Sequence, residues 1–304
     1  MNLNTESLTQ FLLSWNNDTQ AAHESYMRMW SLHMWTSTLI QLNVQFNNNT
    51  IISEVLSMYD QKSYLFAHTI NGLPEAHATS FAILTLRNLS ALNQLISPEL
   101  TFAALQDLST IQGFKSDNFI EEVDSRLTLF TIIALEALCT QFNFVLDDKI
   151  VENCTNFLIS CINDDGGAGA VPNAISHAAQ VYCVVCGLKI LNTFSRLSEA
   201  QISGFSIFLL QLQTSLGGFC GRQNKLPDAC YCMWAAATLK VLGVRFNEDI
   251  LYSFVTECQD QSGGIADRQG NPPDLFHSHY VCSFLGQMGV LGKKVDAVRD
   301  MVVE

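Results

Sequence analysis

Charge is scarce in this sequence, and basic charge scarcest: 16 Lys and Arg stand against 29 Asp and Glu in 304 residues, for a formal net charge of −13. A field of that sign repels polyanions, so gripping nucleic acid or an anionic membrane is excluded as the main activity, and any bound anion must meet a local exception. Proline (6) and glycine (17) are also few, which favours helices over a β-sandwich with its many tight turns. No stretch approaches the roughly 20 apolar residues that a membrane-spanning helix needs. The opening MNLNTESLTQ lacks the basic leader and apolar run of a secretory signal. These absences predict a cytoplasmic protein with no transmembrane segment, whose ten cysteines are mostly buried thiols rather than disulfides. Hydrophobic residues, at 48%, exclude a disordered chain.

What the sequence does contain is a repeat. CINDDGGAG from Cys161, LQTSLGGFCG from Leu212 and CQDQSGGIAD from Cys258 share a plan, and their glycine pairs, starting at Gly166, Gly217 and Gly263, lie 51 and 46 residues apart. An amphipathic stretch precedes each pair, such as Leu197 to Gln213, and an almost uncharged apolar run follows it: Ala178 to Leu191, Tyr231 to Leu242, Tyr280 to Val290. Leu127 to Leu138 and Ala78 to Leu89 read as weaker copies of that run, without the glycine pair before them. An amphipathic helix, a glycine loop and a helix apolar on every face describe an outer helix, a turn and a buried inner helix. Five or six such pairs of about 50 residues each predict an all-α fold, an α-α toroid (α6/α6 barrel), as a single domain over 1–304. Its inner helices point their N-termini at one end, where their dipoles favour an anion.

Polar residues recur where the inner helices begin. His77, Arg126, His177, Asp228 with Cys230, and His277 follow one another at intervals of 49, 51, 51 and 49. Helix capping explains any one of them; five in phase point to a shared site. Asp228, Cys230 and His277 together offer the oxygen, sulfur and nitrogen donors that zinc accepts, and three protein ligands leave a fourth position for a substrate. Arg222 and Lys225 precede this set and Tyr231 and Trp234 follow it in GGFCGRQNKLPDACYCMW, a concentration of positive charge in an acidic protein that suits a diphosphate. A solvated loop and a core aromatic are the plain alternatives.

GRQNKLPDACYCMW resembles the signature of protein prenyltransferase β subunits, and GGIADRQGNPPDLFH, ending at His277, resembles the segment that supplies their third zinc ligand. EVDSR (Glu122 to Arg126) and ISHAAQVYC (Ile175 to Cys183) are similar to motifs of the second and third repeats. The likeness runs from about Tyr26 to Val290, and LPD, ADR and D-x-F-H are most like type II, or Rab, geranylgeranyltransferase β subunits. The resemblance implies that Asp228, Cys230 and His277 hold zinc. It implies that His177, Arg222, Lys225 and Tyr231 bind the diphosphate, that Trp234 lines the isoprenoid tunnel, and that Arg126 lies toward the protein substrate. The implied chemistry is prenyl transfer to a cysteine that zinc holds as thiolate. The implied partners are a helical-repeat α subunit in a heterodimer, geranylgeranyl diphosphate, and a Rab-type small GTPase presented by an escort protein.

Some positions leave alternatives open. Relatives that take a 15-carbon lipid carry a bulky Trp near the start of the first inner helix, and those that take 20 carbons carry a small residue. In MRMWSLHMWTSTL the match through Met27 to Met29 puts Trp30 there, and the match backward from Trp35 puts Ser31 there; Ser31 is preferred because the helix core is the better anchor. Asp267 sits where some relatives carry an acidic residue near the diphosphate, which raises Mg²⁺, and a loop aspartate explains it equally. The alternatives in function are a CaaX farnesyl- or type I geranylgeranyltransferase β subunit, a terpene cyclase on the same toroid, and a non-catalytic toroid that binds protein. The cyclase reading needs an acidic D-x-D-D run in the cavity, where the chain offers only Asp164-Asp165 before a glycine.

Overall fold

The computed structural model describes residues 3–15 and 27–303; Tyr26, where the resemblance begins, lies outside them. Among the described residues six inner helices alternate with outer ones. The inner set is α2 (Arg28–Gln41), α4 (Ala76–Asn88), α6 (Ser125–Phe142), α8 (Ala178–Ile190), α10 (Tyr231–Val241) and α12 (Leu275–Gln287). The outer set is α1 (Thr5–Trp15), α3 (Asn48–Ser57), α5 (Pro98–Asp107), α7 (Asp148–Ser160), α9 (Glu199–Leu210) and α11 (Glu248–Glu257). The predicted division follows from burial. In α8 every residue except Lys189 is buried, whereas α7 buries only Ile150, Cys154, Thr155, Phe157 and Leu158, one face at helical spacing.

Each inner helix packs on the two beside it, and α12 returns to α2, so the inner ring is closed. The outer ring closes through the N-terminus. Gly217, at φ +97°, sits where a Cβ would lie 2.3 Å from the Ile250 carbonyl oxygen of α11, and Gly263, at φ +94°, where a Cβ would lie 2.2 Å from that of Ser7 in α1. Thus α1 stands against the last glycine loop as α11 stands against the one before it. Only glycine permits both the left-handed backbone and that approach.

The turns repeat as well. Isolated antiparallel bridges join Ile162 to Ala168, Gln213 to Phe219 and Gln259 to Ile265, and the second loop forms β1 (Ser109–Thr110) and β2 (Gly113–Phe114). The first loop, Tyr59 to Phe66, makes the same bridge without a glycine pair: Tyr64 takes the left-handed backbone at φ +61°, and the Asp60 carboxylate accepts from Ser63 N and Oγ, both at 2.7 Å.

The C-terminal hairpin, β3 (Lys294–Asp296) and β4 (Met301–Val303), covers the far end of the inner ring. Tyr182 Oη donates to the Val298 carbonyl at 3.1 Å, Asp300 meets His279 at 3.2 Å, and Arg299 pairs with both Glu136 and Asp296. The opposite end, where the inner helices begin, holds the polar residues in phase. No helix among the described residues is long and apolar enough to cross a membrane.

Candidate active site

Asp228, Cys230 and His277 converge. The carboxylate, sulfur and imidazole atoms lie within 4.8 Å of one another, with His277 Nε2 3.3 Å from Asp228 Oδ1. The loop before α10 brings the first two: the Cys230 backbone N–H donates to Asp228 Oδ1 at 2.9 Å, which folds the pair into a tight turn. Asp274 brings the third. One of its oxygens caps α12 by accepting from the His277 backbone N–H at 2.8 Å, while the other meets His277 Nδ1 at 2.7 Å. A carboxylate on Nδ1 fixes the ring and leaves Nε2 to face a cation, as carboxylate–histidine pairs do at metal sites.

The charge balance fits a metal. Burial and then the neighbouring Asp228 push the Cys230 thiol well above its ordinary pKa. Burial lowers that of His277, but the hydrogen bonds with Asp228 and Asp274 outweigh it and raise the value to about 9. A buried thiol beside a carboxylate does not ionise on its own, and a divalent cation among these donors reverses that. The donor set and its spacing therefore suit zinc.

The predicted anion pocket adjoins this cluster. His177, Arg222, Lys225 and Tyr231 line one cavity with Asp228, and Arg268 joins them. His177 caps α8, its Nδ1 accepting from the Ala179 backbone N–H at 3.2 Å, so capping and site membership coincide in one residue. Burial and then the cations Arg222 and Arg126 lower its pKa, keeping it neutral. With Nδ1 accepting, the proton resides on Nε2, 3.1 Å from Tyr231 Oη. The imidazole donates to the phenol oxygen, and the phenol proton is free to reach a ligand.

Arg126, by contrast, is 57% exposed and pairs with Asp124 at 3.2 Å. Asp267 spends one oxygen on Arg268 at 2.8 Å and the other on Asn271 at 2.7 Å, the arrangement of a loop aspartate rather than of a magnesium ligand. Asp164 and Asp165 are exposed in their loop, and Asp165 holds the turn by accepting from Gly167 N and Ser176 Oγ, so the cyclase reading loses its acid.

Aromatic rings line the ring of inner helices. Trp234 packs on Tyr182 at 5.1 Å and on Tyr280 at 4.6 Å between centroids. The two candidates for the lipid gate, Trp30 and Ser31, face different surroundings. Trp30 lies against His77 and Phe81 of α4 and Phe276 of α12, at 6.0, 6.1 and 5.5 Å, between the two flanking inner helices. Ser31 is buried one turn before Trp35, whose indole N–H donates to the Leu12 carbonyl of α1 at 2.7 Å, so this face of the helix looks outward.

Sequence reasoning gave no role to Asp274, although the spacing of Asp274 and His277 is that of an N-cap and the backbone N–H it accepts from. It also passed over Gly221, where a Cβ would lie 2.3 Å from Tyr231 Oη and 2.6 Å from His177 Nε2.

Residues 3–303 match the family model described as the prenyltransferase alpha-alpha toroid domain. The chain belongs to this family. It is 34% identical over 254 residues to the geranylgeranyl transferase type-2 subunit beta of Saccharomyces cerevisiae, covering 80% of this chain and 75% of the relative. It is 35% identical over 139 residues to the Arabidopsis thaliana geranylgeranyl transferase type-1 subunit beta, covering 42% of this chain and 37% of that one. Protein farnesyltransferase subunit beta of Schizosaccharomyces pombe matches at 29% over 150 residues, 44% of this chain and 38% of the relative. Among solved structures, Candida albicans protein geranylgeranyltransferase-I complexed with GGPP superposes with a TM-score of 0.83 at 18% identity, over 99% of this chain and 96% of that one. A type II terpene cyclase from Scytonema reaches 0.62 at 10% identity, over 98% and 97%. Both structures establish the toroid; the curated relatives are β subunits of protein prenyltransferases.

Proposed function

We propose that the chain is the β subunit of a zinc-dependent protein geranylgeranyltransferase that modifies C-terminal cysteines of Rab-type small GTPases in the cytoplasm. The observation that carries this reading is the convergence of Asp228, Cys230 and His277 beside a basic cavity at the mouth of an aromatic ring. The type-2 relative, matched over most of both chains, supports the Rab assignment. In this reading the chain works as a heterodimer with an α subunit and receives its GTPase from an escort protein.

Zinc held by those three residues supplies a lowered pKa to the substrate thiol, which is nucleophilic as thiolate. The prenyl C1–O bond breaks as the thioether C–S bond forms, and charge gathers on the departing diphosphate. Arg222, Lys225 and the free phenol proton of Tyr231 are placed to receive it, where preorganised donors act most strongly. The lipid chain lies against Trp234, Tyr182 and Tyr280, gaining roughly 0.8 kcal/mol per buried CH₂.

Trp30 favours a second reading for the lipid. A bulky ring among Phe81, Phe276 and His77 shortens the space available, and a 15-carbon donor with a CaaX acceptor suits that space. The test is transfer by the protein co-expressed with its α partner, from farnesyl and geranylgeranyl diphosphate, to escort-bound Rab and to a CaaX peptide, alongside metal analysis. Geranylgeranyl transfer to Rab, with about one zinc bound at this centre and lost in Cys230→Ala, supports the first reading. Farnesyl transfer to CaaX alone selects the second, and no transfer from either donor removes both.

A further inference from the structure

A second cluster of metal-ligating side chains lies at the same end of the ring, outside the site just described. We propose that His68, Glu75 and His77 form a second divalent-metal site, suited to zinc, across the mouth of the ring from Asp228, Cys230 and His277.

The three ligand atoms lie within 4.8 Å of one another. His68 Nε2 is 2.9 Å from Glu75 Oε1 and 3.3 Å from His77 Nδ1. Nitrogen and oxygen ligands at about 2.1 Å from a tetrahedral zinc are about 3.4 Å apart, close to this spacing and to the 3.3 Å between Asp228 and His277.

Hydrogen bonding alone leaves the group poorly satisfied. His68 Nε2 carries at most one proton yet faces two partners. If that proton points at the Glu75 carboxylate, the lone pair of His77 Nδ1 competes for it; if His77 Nδ1 carries its own proton, two N–H groups oppose each other. A cation in place of the proton uses all three lone pairs at once.

Two of the three ligands, Glu75 and His77, are also held by their surroundings. Glu75 Oε2 accepts from Ser116 Oγ at 2.7 Å, which orients the carboxylate from the next loop. The His77 ring packs edge-on against Phe81 at 4.8 Å and Phe130 at 6.1 Å. One carboxylate and two imidazoles form a set that zinc takes at open sites, with a fourth position left for water or a thiolate. The rings of Trp30 and Phe276 separate His77 from His277, with no centroid step above 6.0 Å.

The two centres differ in chemistry, and that makes the proposal testable. Only the Cys230 centre contains sulfur. Full-length protein, freed of metal by a chelator and titrated with Co²⁺ alone, is expected to bind two equivalents. The Cys230→Ala/His277→Ala variant should keep one equivalent, with visible ligand-field absorption and no thiolate-to-cobalt charge transfer. Glu75→Gln, which preserves volume and leaves an acceptor for Ser116, should keep the charge-transfer band and lose at least tenfold in affinity for the other equivalent. A single equivalent in wild type that disappears with Cys230 and His277 overturns the proposal, as does a second equivalent unaffected by Glu75→Gln. A single equivalent without charge transfer, lost in Glu75→Gln, supports this site and removes the other. The wild-type stoichiometry and band do not depend on any variant folding.

Discussion

Tyr231 Oη lies 3.1 Å from His177 Nε2, across 54 residues of chain, and the space for that meeting is left by a third residue without a side chain. Gly221 accepts the Ala178 backbone N–H at 2.8 Å beside the pair, and a Cβ there would fall within 2.6 Å of both polar atoms. Gly221→Ala therefore separates imidazole from phenol while the backbone stays in place. Affinity for prenyl diphosphate should fall roughly tenfold, about 1.4 kcal/mol, with far-UV circular dichroism unchanged. Unaltered affinity in a folded variant would show that the pair takes no part in holding the anion.

Asp274 performs two tasks with its two oxygens, and one substitution separates them. Asn keeps an oxygen able to cap α12 but replaces the carboxylate that faces His277 Nδ1 at 2.7 Å. Asp274→Asn should weaken zinc binding about 10- to 100-fold in chelator competition, with little loss of thermal stability. Equal zinc affinity in the two proteins would leave Asp274 a cap and nothing more.

The contrast between Gly217 and Tyr64 shows how much the sequence discloses. Both take the left-handed backbone in equivalent turns, but glycine advertises the turn and tyrosine does not, so three loops were legible and the first was not. The inner helices could be read because burial on all faces demands unbroken apolar runs. The ligands could be read because zinc chemistry restricts residue types and the repeat sets their phase. His68 and Glu75 were missed because they precede the helix in an irregular loop, where no period brings them into register with His77. Trp30 and Ser31 could not be separated, since adjacent helical residues differ by about 100° in direction and the alignment left one residue of freedom.

Trp30 makes its own prediction. With its ring between α4 and α12, Trp30→Ala enlarges the space where a lipid terminus would lie. The ratio of kcat/KM for geranylgeranyl over farnesyl diphosphate should rise by at least tenfold. Ser31→Ala, on the outward face, should leave this ratio within about twofold. A shift in Ser31→Ala with none in Trp30→Ala would place the gate at Ser31.

His33 should make the fold acid-sensitive well above the range of carboxylate titration. It is 5% exposed on α2, its ring 5.2 Å from Phe81 and 6.2 Å from that of His279, and its Nδ1 has no hydrogen-bond partner among the described residues. Burial first, and the charge of His279 second, lower its pKa from 6.5 to about 3. Below about pH 6.5 the unfolded chain therefore takes up a proton that the folded chain refuses until about pH 3. The unfolded state binds more protons across that window, so stability falls as pH falls, by up to about 1.4 kcal/mol per unit from this one group. Between pH 7 and pH 5 the loss attributable to His33 is about 2 kcal/mol. Urea midpoints at these two pH values, measured for wild type and His33→Leu, isolate it. The variant should lose less stability on acidification by about that amount, and by removing an unpartnered buried nitrogen it should be no less stable than wild type at pH 7. Parallel losses in the two proteins would mean that His33 is protonated inside the fold, with a partner for its charge that these contacts do not provide.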